Sequence, residues 1–487
     1  MRFGITVALL CATLTACAPE AGETSAKAER LYAPRELRSD FAEMYNALQS
    51  GNFDLYAFTA KSELDALYTR DLAALDRPMT QFDAKIRFEQ FLANVHMGHT
   101  RVDFPYALWS QRLKDGGKAF PLAIRVVDGS VFVAQNSSGL PQIAAGDEIL
   151  SLNGETMADW LTRAERHVSA ETPYMAHSLM EYDFPIYVWV ELGNVDDFDL
   201  DIRKADGKDQ RLRLPARTAA EMKAFAAKQP PVLALEDRAV KILPGNIGYL
   251  RPGPFYNAEA KTDAEGWDTS AFKAFIDGAF ERFNTAHARK LIIDLRGNPG
   301  GDNLFSDIMI AWFADRPFRF FSQFKVKVSP QSTAANRSRI EHDAIAAGPV
   351  SQQYAKLYAG AHNGDIVDFD MPLAPPRKGA HFDGKVFVLI DRQSYSNAVS
   401  VAALVQDYHF GTIVGEETSD MATAYGAMEQ FTLPHTGIVV GYPKARIVRP
   451  NGDPKSRGVI PDIVIRTPVV PSRSDEVLQQ AIAIAAR

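Results

Sequence analysis

Apolar residues recur three and four positions apart between about residues 34 and 95, which is the spacing of one face of an α-helix. Three segments carry this repeat: FAEMYNALQ, SELDALYTRDLAALD and FDAKIRFEQFLANV. Pro78 stands between the last two and is typical of a break between helices. The pattern predicts a helical N-terminal domain over residues 34–115, in which HMGHTRVDF follows the last of these helices.

A period of two replaces this repeat between residues 116 and 230 and predicts short β-strands. FPLAIRVVDGSVFVAQ and FDLDIRKADGKDQRLRL are each expected to form a hairpin around an Asp-Gly turn. The sequence between them, IAAGDEILSLNGETMADWL, resembles a PDZ domain, in which a Gly-Asp-x-Ile strand and an Asn-Gly turn precede a helix. The matching residues are Gly146, Asp147, Ile149, Asn153 and Gly154. We expect a PDZ-like β-rich domain over 116–230; the alternative is a generic small β-rich domain.

Short apolar runs alternate with helical repeats from about residue 240 onward. The predicted strands are NIGYLRPGPF, LIIDL, VFVLI and GTIVGEE, and the predicted helices are AFKAFIDGAFERF, DNLFSDIMIAWFA and NAVSVAALVQDY. Such alternation is typical of parallel strands joined by crossover helices. We predict an α/β domain over residues 231–487, with residues 328–380 as an insertion that covers it.

The first 17 residues read MRFGITVALLCATLTAC, an apolar run that follows one arginine and ends in small residues. The run is too short to span a membrane and is typical of a secretory signal peptide. Its ending resembles the bacterial lipobox, which implies that Cys17 is lipidated; the alternative is an ordinary signal peptide cleaved nearby. With residues 18–33 as a tether, the protein is expected on the periplasmic side of the cell envelope, held by lipid at the outer membrane.

Composition excludes several classes of function. The chain has 487 residues and a net charge of -7, and an acidic chain without a basic field is not expected to bind nucleic acid. The two cysteines are Cys11, inside the signal, and Cys17. The mature protein therefore has no thiol for a disulfide, a thiolate nucleophile or a Cys-based metal site. We expect neither a cofactor nor a metal.

A glycine-rich turn follows a predicted buried strand in LIIDLRGNPGGDNLFS, just before a helix. Glycines at such a place allow close approach of a ligand and leave amide N–H groups free to point at an anion. The spacing matches neither GxGxxG nor GxxxxGK[ST], which argues against a nucleotide-phosphate site. Gly300 and Gly301 are better interpreted as donors to a developing oxyanion.

A second strand–turn–helix pattern, VFVLIDRQSYSNAVSVAALV, contains two candidate nucleophiles. Ser396 directly precedes the helical run, where the positive end of the helix dipole and the N–H of Asn397 favour negative charge. Ser394 is expected to be the N-cap of that helix. Ser396 is therefore the predicted nucleophile.

Four motifs together, IDLRGNPGG, the SYS turn, the GEET strand and the closing RGVIPDI, resemble the C-terminal processing and tricorn-like serine peptidase family. The resemblance implies a crotonase-like ββα spiral protease core with an inserted PDZ-like domain, and hydrolysis of peptide or protein substrates. It assigns the nucleophile to Ser396 and the oxyanion hole to Asn397 and the Gly300-Gly301 pair. Asp294 and Arg296 match the family's D-x-R and are expected to be structural.

The general base departs from part of that family. The processing peptidases use a Ser-Lys dyad with the lysine after the GE-x-T strand, but residues 418–443 contain no lysine, so only Lys444 or Lys455 could serve. The tricorn-like branch has a histidine just before the PDZ-like domain, and His99 stands there. A neutral imidazole can accept the serine proton at ambient pH, so His99 is the predicted base. His96 is a rival or supporting partner, and the pair lacks a third ligand for a metal.

The acid that orients the histidine also departs from the pattern of the tricorn-like branch. The tricorn-like branch has a Glu shortly before G-V-x-P-D, where this chain has Lys455. Glu416, Glu417 and Asp420 lie nearby, and Glu417 is the predicted substitute. The sequence thus predicts a serine peptidase. The alternatives are a catalytically impaired peptide-binding protein of the same fold and an esterase that uses the same site.

Overall fold

The computed structural model describes residues 30–102, 104–228, 235, 237–262, 264–342, 348–470 and 472–487. The predicted signal peptide, most of the predicted tether and Cys17 lie outside these residues. No helix within the described ranges is long and apolar enough to cross a membrane.

The N-terminal part of the described chain is helical, as predicted. Its elements are α1 (Pro34–Gly51), α2 (Lys61–Ala74), α3 (Gln81–Ala93), β1 (Arg101–Val102) and α4 (Tyr106–Lys114). Thr80 caps α3, because its hydroxyl accepts from the Asp83 N–H while the Asp83 carboxylate reaches back. The buried faces of α1 and α3 meet Val440 and Tyr442 from the C-terminal part of the chain. The helices therefore share a core with residues that follow them by more than three hundred positions.

The middle of the chain forms an antiparallel sheet with three helices. Its elements are β2 (Lys118–Ala119), β3 (Leu122–Val127), β4 (Ser130–Asn136), β5 (Glu148–Leu152), β6 (Glu155–Thr156), α5 (Met157–Glu165), α6 (Pro173–Leu192), β7 (Asp197–Arg203), β8 (Asp209–Pro215), β9 (Arg217–Thr218) and α7 (Ala219–Ala226). The strand order is β3-β4-β5-β7-β8, with β6 on β5, while β2 pairs with β9. Both predicted hairpins, β3–β4 and β7–β8, are confirmed.

The sequence pattern did not predict α6, a helix of twenty residues inside this β-rich part. Apolar residues continue around most of it, so no 3.6-residue period marks one face. Its Met180 and Phe184 lie in the core beneath the β-rich sheet. Tyr174, Ser178 and Glu181 of the same helix contact the C-terminal part of the chain. This two-sided burial is the reason the period is missing.

The C-terminal part contains the predicted α/β layer. Its elements are β10 (Ala239–Leu243), β11 (Ile247–Arg251), α8 (Ser270–Thr285), β12 (Lys290–Asp294), α9 (Asn303–Ile310), β13 (Gln323–Lys327), α10 (Pro330–His342), α11 (Pro349–Ala359), β14 (Ile366–Asp368), β15 (Lys385–Ile390), α12 (Asn397–Asp407), β16 (Thr412–Gly415), β17 (Ala424–Thr432), β18 (Val439–Val448), β19 (Ile463–Val464) and α13 (Glu476–Ala486), with a short 3-10 turn at Ala264–Trp267. One sheet has the order β10-β11-β12-β15-β16-β19. Its strands from β11 to β19 are parallel, as predicted.

Both faces of this parallel sheet are covered. Leu291 and Ile293 point to the layer of α8, α9 and α12, whereas Ile292 between them packs against α13. Alternate residues of a strand point to opposite faces, so a strand buried on both sides is apolar throughout. This explains why LIIDL and VFVLI show no alternation. The carboxyl ends of β12 and β15 carry the two turns that the sequence analysis singled out.

A second C-terminal sheet is antiparallel and was not predicted from the pattern. It has the order β1-β18-β13-β14, with β17 also on β18. β1 is only two residues long, and pairs Arg101 with Gly441 and Val102 with Val440. This pairing joins the segment just after His99 to the C-terminal part of the chain. The predicted insertion, residues 328–380, contributes β14 to the same sheet and adds α10 and α11.

Candidate active site

Ser396 is the last residue before α12 and has an uncommon backbone conformation. Its φ is +52° and its ψ is -119°, in a region that non-glycine residues rarely adopt. Its side chain makes no capping hydrogen bond to the helix, so the hydroxyl remains available. Its backbone N–H donates to Asp420 Oδ2 at 2.6 Å. A sharp strand-to-helix turn thus presents the hydroxyl, and a buried carboxylate holds the turn.

Ser394 does not cap α12, which corrects the prediction from sequence. The side chain is fully buried, its Oγ donates to the Leu295 carbonyl at 2.8 Å and accepts from the Asp391 N–H at 3.1 Å. The reason is the positive φ of Ser396, which makes Ser396 the N-cap residue and starts the helix at Asn397, three residues past Ser394. Ser394 instead fastens the turn to the end of β12.

The glycine-rich loop lies directly against this turn. A Cβ on Gly300 would be 2.5 Å from the Tyr395 carbonyl oxygen, 2.6 Å from the Asn397 nitrogen and 2.9 Å from Ser396 Cβ. Gly300 also has a φ of +84°, which favours glycine. The two motifs that the sequence analysis proposed as partners are therefore in van der Waals contact, and the contact requires the absence of a side chain.

The amide groups around Ser396 differ in their availability. The Gly300 N–H donates to Asn298 Oδ1 at 2.9 Å. Within the described part of the chain, the N–H groups of Gly301 and Asn397 have no acceptor. Of the three predicted oxyanion-hole residues, Gly301 and Asn397 thus have amides free to donate, and Gly300 provides the close approach.

Asp294 and Arg296 have the structural role predicted for them. The Arg296 guanidinium donates to Asp294 at 2.7 Å and to Asp475 at 2.6 Å. The Asp475 carboxylate also accepts from an amide in the first turn of α13. Buried charges are stable only when paired and hydrogen-bonded. The pair therefore fixes the start of the glycine-rich loop.

His99 reaches this site through contacts on two sides of its loop. On one side, β1 follows it and pairs with β18. On the other, the Ser169 hydroxyl accepts from the Met97 N–H at 2.9 Å and donates to the Met97 carbonyl at 2.8 Å. The Gly98 N–H donates to Glu171 Oε2 at 3.1 Å. The structure thus brings His99 to the nucleophile turn across almost three hundred residues of sequence.

The His99 ring stacks on Tyr395, the neighbour of Ser396, with 5.8 Å between ring centroids. Its Nδ1 is buried without a hydrogen-bond partner among the described residues. Burial lowers the pKa of His99 below its usual value; the negative charge of Asp420 opposes this shift and the positive charge of Arg101 adds to it. The imidazole is therefore neutral at neutral pH and able to accept a proton.

Asp420 lies on the loop after β16, and its charge opposes the effect of burial on the pKa of His99. Asp420 is almost fully buried, and its Oδ1 accepts from the Met421 N–H at 2.8 Å. Glu417, the acid predicted from sequence, lies on the same loop, where its backbone carbonyl accepts from the Tyr174 hydroxyl at 2.9 Å. Burial raises the pKa of Glu417, and the nearby charge of Arg457 opposes that shift.

An ion-pair network connects the nucleophile turn to the β-rich part of the chain. Arg392, four residues before Ser396, pairs with Glu181 of α6 at 2.9 Å and with Glu416 at 2.7 Å. Arg125 on β3 pairs with the same two glutamates. All four side chains are largely buried, so the loss of one partner would leave an uncompensated charge. The helix α6 thus lies between the β-rich sheet and the site.

Residues 246–465 match the model of peptidase family S41. This range contains the glycine-rich loop, the nucleophile turn, the Asp420 loop and the closing RGVIPDI segment. The chain carries a peptidase family S41 domain. The resemblance to the C-terminal processing and tricorn-like peptidases is thereby confirmed.

Solved structures share the fold of the S41 domain and of much of the remaining chain. Mature CPAF is 16% identical with a TM-score of 0.59, covering 88% of this chain and 92% of that chain. Mature CPAF complexed with lactacystin is 15% identical with a TM-score of 0.59, covering 93% and 97%. The photosystem II D1 C-terminal processing protease is 18% identical with a TM-score of 0.46, covering 93% and 97%. At these identities the two CPAF structures show a common fold and nothing further.

Lys444 and Lys455 were the two alternative candidates for the general base. Their contacts in the structure are with residues other than Ser396. Lys444, on β18 of the S41 domain, forms a buried ion pair with Glu429, and its Nζ lies 4.0 Å from the centre of the Tyr354 ring. Burial lowers the pKa of Lys444. The backbone of Lys455 donates to Asp453 in an exposed loop. His96 is exposed, whereas the His99 ring stacks beside the nucleophile turn.

Three residues near Ser396 and His99 were not predicted as site residues from the sequence. Tyr395 was considered only as the middle residue of the SYS turn. Asp420 was one of three candidate acids, and Glu171 lies in a segment without a recognised motif. The SD pair after GEET could have directed attention to Asp420. Nothing in the sequence around Glu171 marks it, because its importance depends on the distant contact with Gly98.

Proposed function

We propose that this chain is a serine peptidase in which Ser396 attacks the substrate carbonyl and His99 accepts its proton. The observation that carries the proposal is the contact of Gly300 with Tyr395, Ser396 and Asn397. It joins a hydroxyl at the start of a helix to a loop with a free amide. This is the arrangement that acyl transfer needs, a nucleophile beside preorganised donors for the oxyanion.

In the proposed reaction, the Ser396 Oγ bonds to the carbonyl carbon while its proton moves to His99. The N–H groups of Asn397 and Gly301 donate to the oxygen that becomes negative. His99 then gives its proton to the leaving amine, and water repeats the sequence to release the acyl group. No hydrogen bond joins Ser396 Oγ to His99 in the described chain, and such bonds are often long before substrate binds.

We assign the stabilisation of protonated His99 to Asp420 in place of Glu417. The support is that the Asp420 charge raises the pKa of His99, while the same carboxylate holds the Ser396 backbone. The assignment of this role to Asp420 is testable, because Asp420→Asn should lower turnover far more than Glu417→Gln. Equal losses would contradict the assignment.

The test of the nucleophile is covalent labelling with a fluorophosphonate probe. Wild type should be labelled and Ser396→Ala should not. Ser400, one turn further into α12, offers a matched control, so Ser400→Ala should be labelled like wild type. Equal labelling of wild type and Ser396→Ala would overturn the assignment. Absence of labelling in all three would favour the alternative of a catalytically impaired peptide-binding protein.

An esterase with the same site is the second alternative, because an oxyanion hole and an activated serine do not choose between amide and ester bonds. Hydrolysis of a peptide library should be compared with hydrolysis of p-nitrophenyl esters. We expect Ser396-dependent cleavage of both, with discrimination between peptides of different sequence. Cleavage of esters alone would contradict a peptidase. The membership of a peptidase family supports the first outcome.

We further propose that the S41 core is of the crotonase-like type and that the β-rich part is PDZ-like. The turn Asn153-Gly154 joins β5 to the two-residue strand β6, and α5 begins directly after β6. This order supports the PDZ-like interpretation. A PDZ-like region would capture peptide C-termini by strand addition. Binding of a C-terminal peptide, but not of its amidated form, to Ser396→Ala protein would test this.

For the location, we propose lipidation at Cys17 and attachment to the periplasmic side of the cell envelope. The support is the lipobox-like ending of the first seventeen residues alone. Incorporation of radiolabelled palmitate into wild type, and its absence in Cys17→Ala, is the expected result. Equal incorporation would contradict it.

A further inference from the structure

The loop that carries His99 is held from the β-rich part of the chain by two residues, Ser169 and Glu171. Ser169 makes two hydrogen bonds with the backbone of Met97. Glu171 accepts from the N–H of Gly98, the residue next to His99. Both side chains come from the connection between α5 and α6. The position of the base therefore depends on a part of the chain that precedes the S41 domain.

Glu171 differs from Ser169 because it brings a second carboxyl group to the site. Asp420 interacts electrostatically with Glu171 and with His99. Burial raises the pKa of Tyr395; the charges of Asp420 and Glu171 add to this shift, and the charge of Arg101 opposes it. Glu171 therefore lies beside the loop of His99, and the titratable groups that interact with it are Asp420 from the loop after β16 and Tyr395 from the nucleophile turn.

Two neighbouring carboxyl groups do not ionise independently, because like charges in a poorly solvated place repel each other. Burial and the charge of Asp420 raise the pKa of Glu171 to about 8, and the hydrogen bond from Gly98 opposes the shift. At neutral pH Glu171 is then protonated and His99 is neutral. Above about pH 8, Glu171 releases its proton to solvent and the site gains a negative charge.

We propose that Glu171 is a positioning residue of the active site, which holds the His99 loop against the nucleophile turn and adds a titratable negative charge that stabilises protonated His99. The proposal rests on the proposed function of Ser396 and His99. Glu171 touches neither substrate nor the reacting atoms. It acts on the proton transfer through the backbone of Gly98 and through its field.

The negative charge of ionised Glu171 should increase the rate of the reaction. When His99 takes the Ser396 proton, the imidazolium forms near a protonated Glu171 at neutral pH, and near a Glu171 carboxylate at higher pH. A further negative charge nearby lowers the free energy of that state. The rate should therefore rise in two steps with pH, first as His99 loses its proton and again as Glu171 ionises near pH 8. The second rise should be roughly tenfold or less, since solvent screens part of the field.

Two variants separate the charge of Glu171 from its hydrogen bond. Glu171→Gln keeps an oxygen that accepts from Gly98 but cannot ionise. Ser169→Ala removes the neighbouring contact to Met97 and leaves every charge in place. The measurement is the pH dependence of kcat/KM and of the rate of fluorophosphonate labelling. Glu171→Gln should lose the second rise, and Ser169→Ala should lower the rate at every pH without changing the shape of the profile.

The outcomes distinguish this inference from the proposed function. If Ser396-dependent labelling is seen but Glu171→Gln retains the two-step profile of wild type, the inference is overturned and the peptidase stands. If Ser169→Ala changes the profile in the same way as Glu171→Gln, Glu171 has a purely structural role. If wild type shows no Ser396-dependent labelling, the proposed function and the inference fall together.

A measurement without turnover completes the test. An acid whose pKa is raised in the folded state binds more protons there than in the unfolded state between the two pKa values, so stability falls with rising pH in that window. For Glu171 the window runs from the usual glutamate pKa of 4.5 to about 8. In the Ser396→Ala background, the added Glu171→Gln change should become progressively more stabilising across this window. A difference that is independent of pH would overturn the titration near pH 8.

Discussion

The nucleophile turn and the base loop are built in opposite ways. The turn is local: a buried strand, a tight bend and a helix lie within twenty residues, and Ser394, Asp391 and Leu295 hold it at the sheet edge. The base loop has little structure of its own, and its position is set by Ser169, Glu171 and the pairing of β1 with β18. The turn is formed by one continuous segment that distant residues fasten in place, whereas the base loop depends on separated segments for its position.

This difference explains which changes each half tolerates. In the turn, strain at Ser396 and the contact with Gly300 leave little room, so small changes of shape should be costly. In the base loop, the atoms that matter are backbone groups of Met97 and Gly98, and several side chains could satisfy them. The turn is therefore sensitive to volume, and the loop to charge and hydrogen bonding.

Removal of the base should have the largest effect on activity. His99→Ala is expected to lower kcat/KM by about 10²- to 10⁴-fold, the range for loss of a general base. In wild type, because burial lowers the pKa of His99, the acid limb of the kcat/KM profile should lie below the usual histidine value near ~6.5.

The control for this prediction is His96→Asn, since His96 is exposed and asparagine tolerates its φ of +54°. It should leave kcat/KM unchanged. Full activity in His99→Ala, together with loss in Lys444→Met, would instead assign the base to the lysine.

An added methyl group in the glycine-rich loop should have the next largest effect. Gly300→Ala is expected to reduce kcat/KM by about 10²- to 10³-fold, because its Cβ would displace Ser396 and the Asn397 amide from the oxyanion position. Gly207→Ala is a matched control with a similar φ of +82° and open space around its Cβ. Equal losses in both variants would show that backbone strain, and not contact with the turn, is responsible.

The smallest effect on activity is expected from Ser394→Ala. The change removes one donor and one acceptor at a buried position, which should lower the free energy of unfolding by about 2 kcal/mol. Labelling of Ser396 should change only a few-fold, measured beside urea unfolding. Loss of labelling in a protein that remains folded would mean that Ser394 takes part in the reaction and does not merely fasten the turn.

Prediction from sequence succeeded where the structure is local. The parallel strands, their helices and both hairpins are confirmed, because hydrophobic period and turn residues are properties of short segments. The helix α6 and the antiparallel sheet around β18 were missed. Both are buried by partners far away in sequence, so their patterns carry no simple period.

The same distinction applies to the site. Ser396 and the glycine-rich loop follow from two strand–turn–helix motifs, and the structure brings them into contact. Asp420 could not be separated from Glu416 and Glu417, because neighbours on a loop differ in direction and not in composition. Ser394 was misjudged because a positive φ at Ser396 is invisible in the sequence.

The two-residue pairing of β1 with β18 has a consequence for the order in which this protein becomes active. During synthesis the histidine loop emerges early and the strand that anchors it emerges only near the end of the chain. Contacts between segments so distant in sequence form late, because the chain must close a long loop to make them. A partly synthesised or partly folded chain would hold its serine and its histidine apart. The protein would then gain the ability to cut other proteins only when it has finished folding itself.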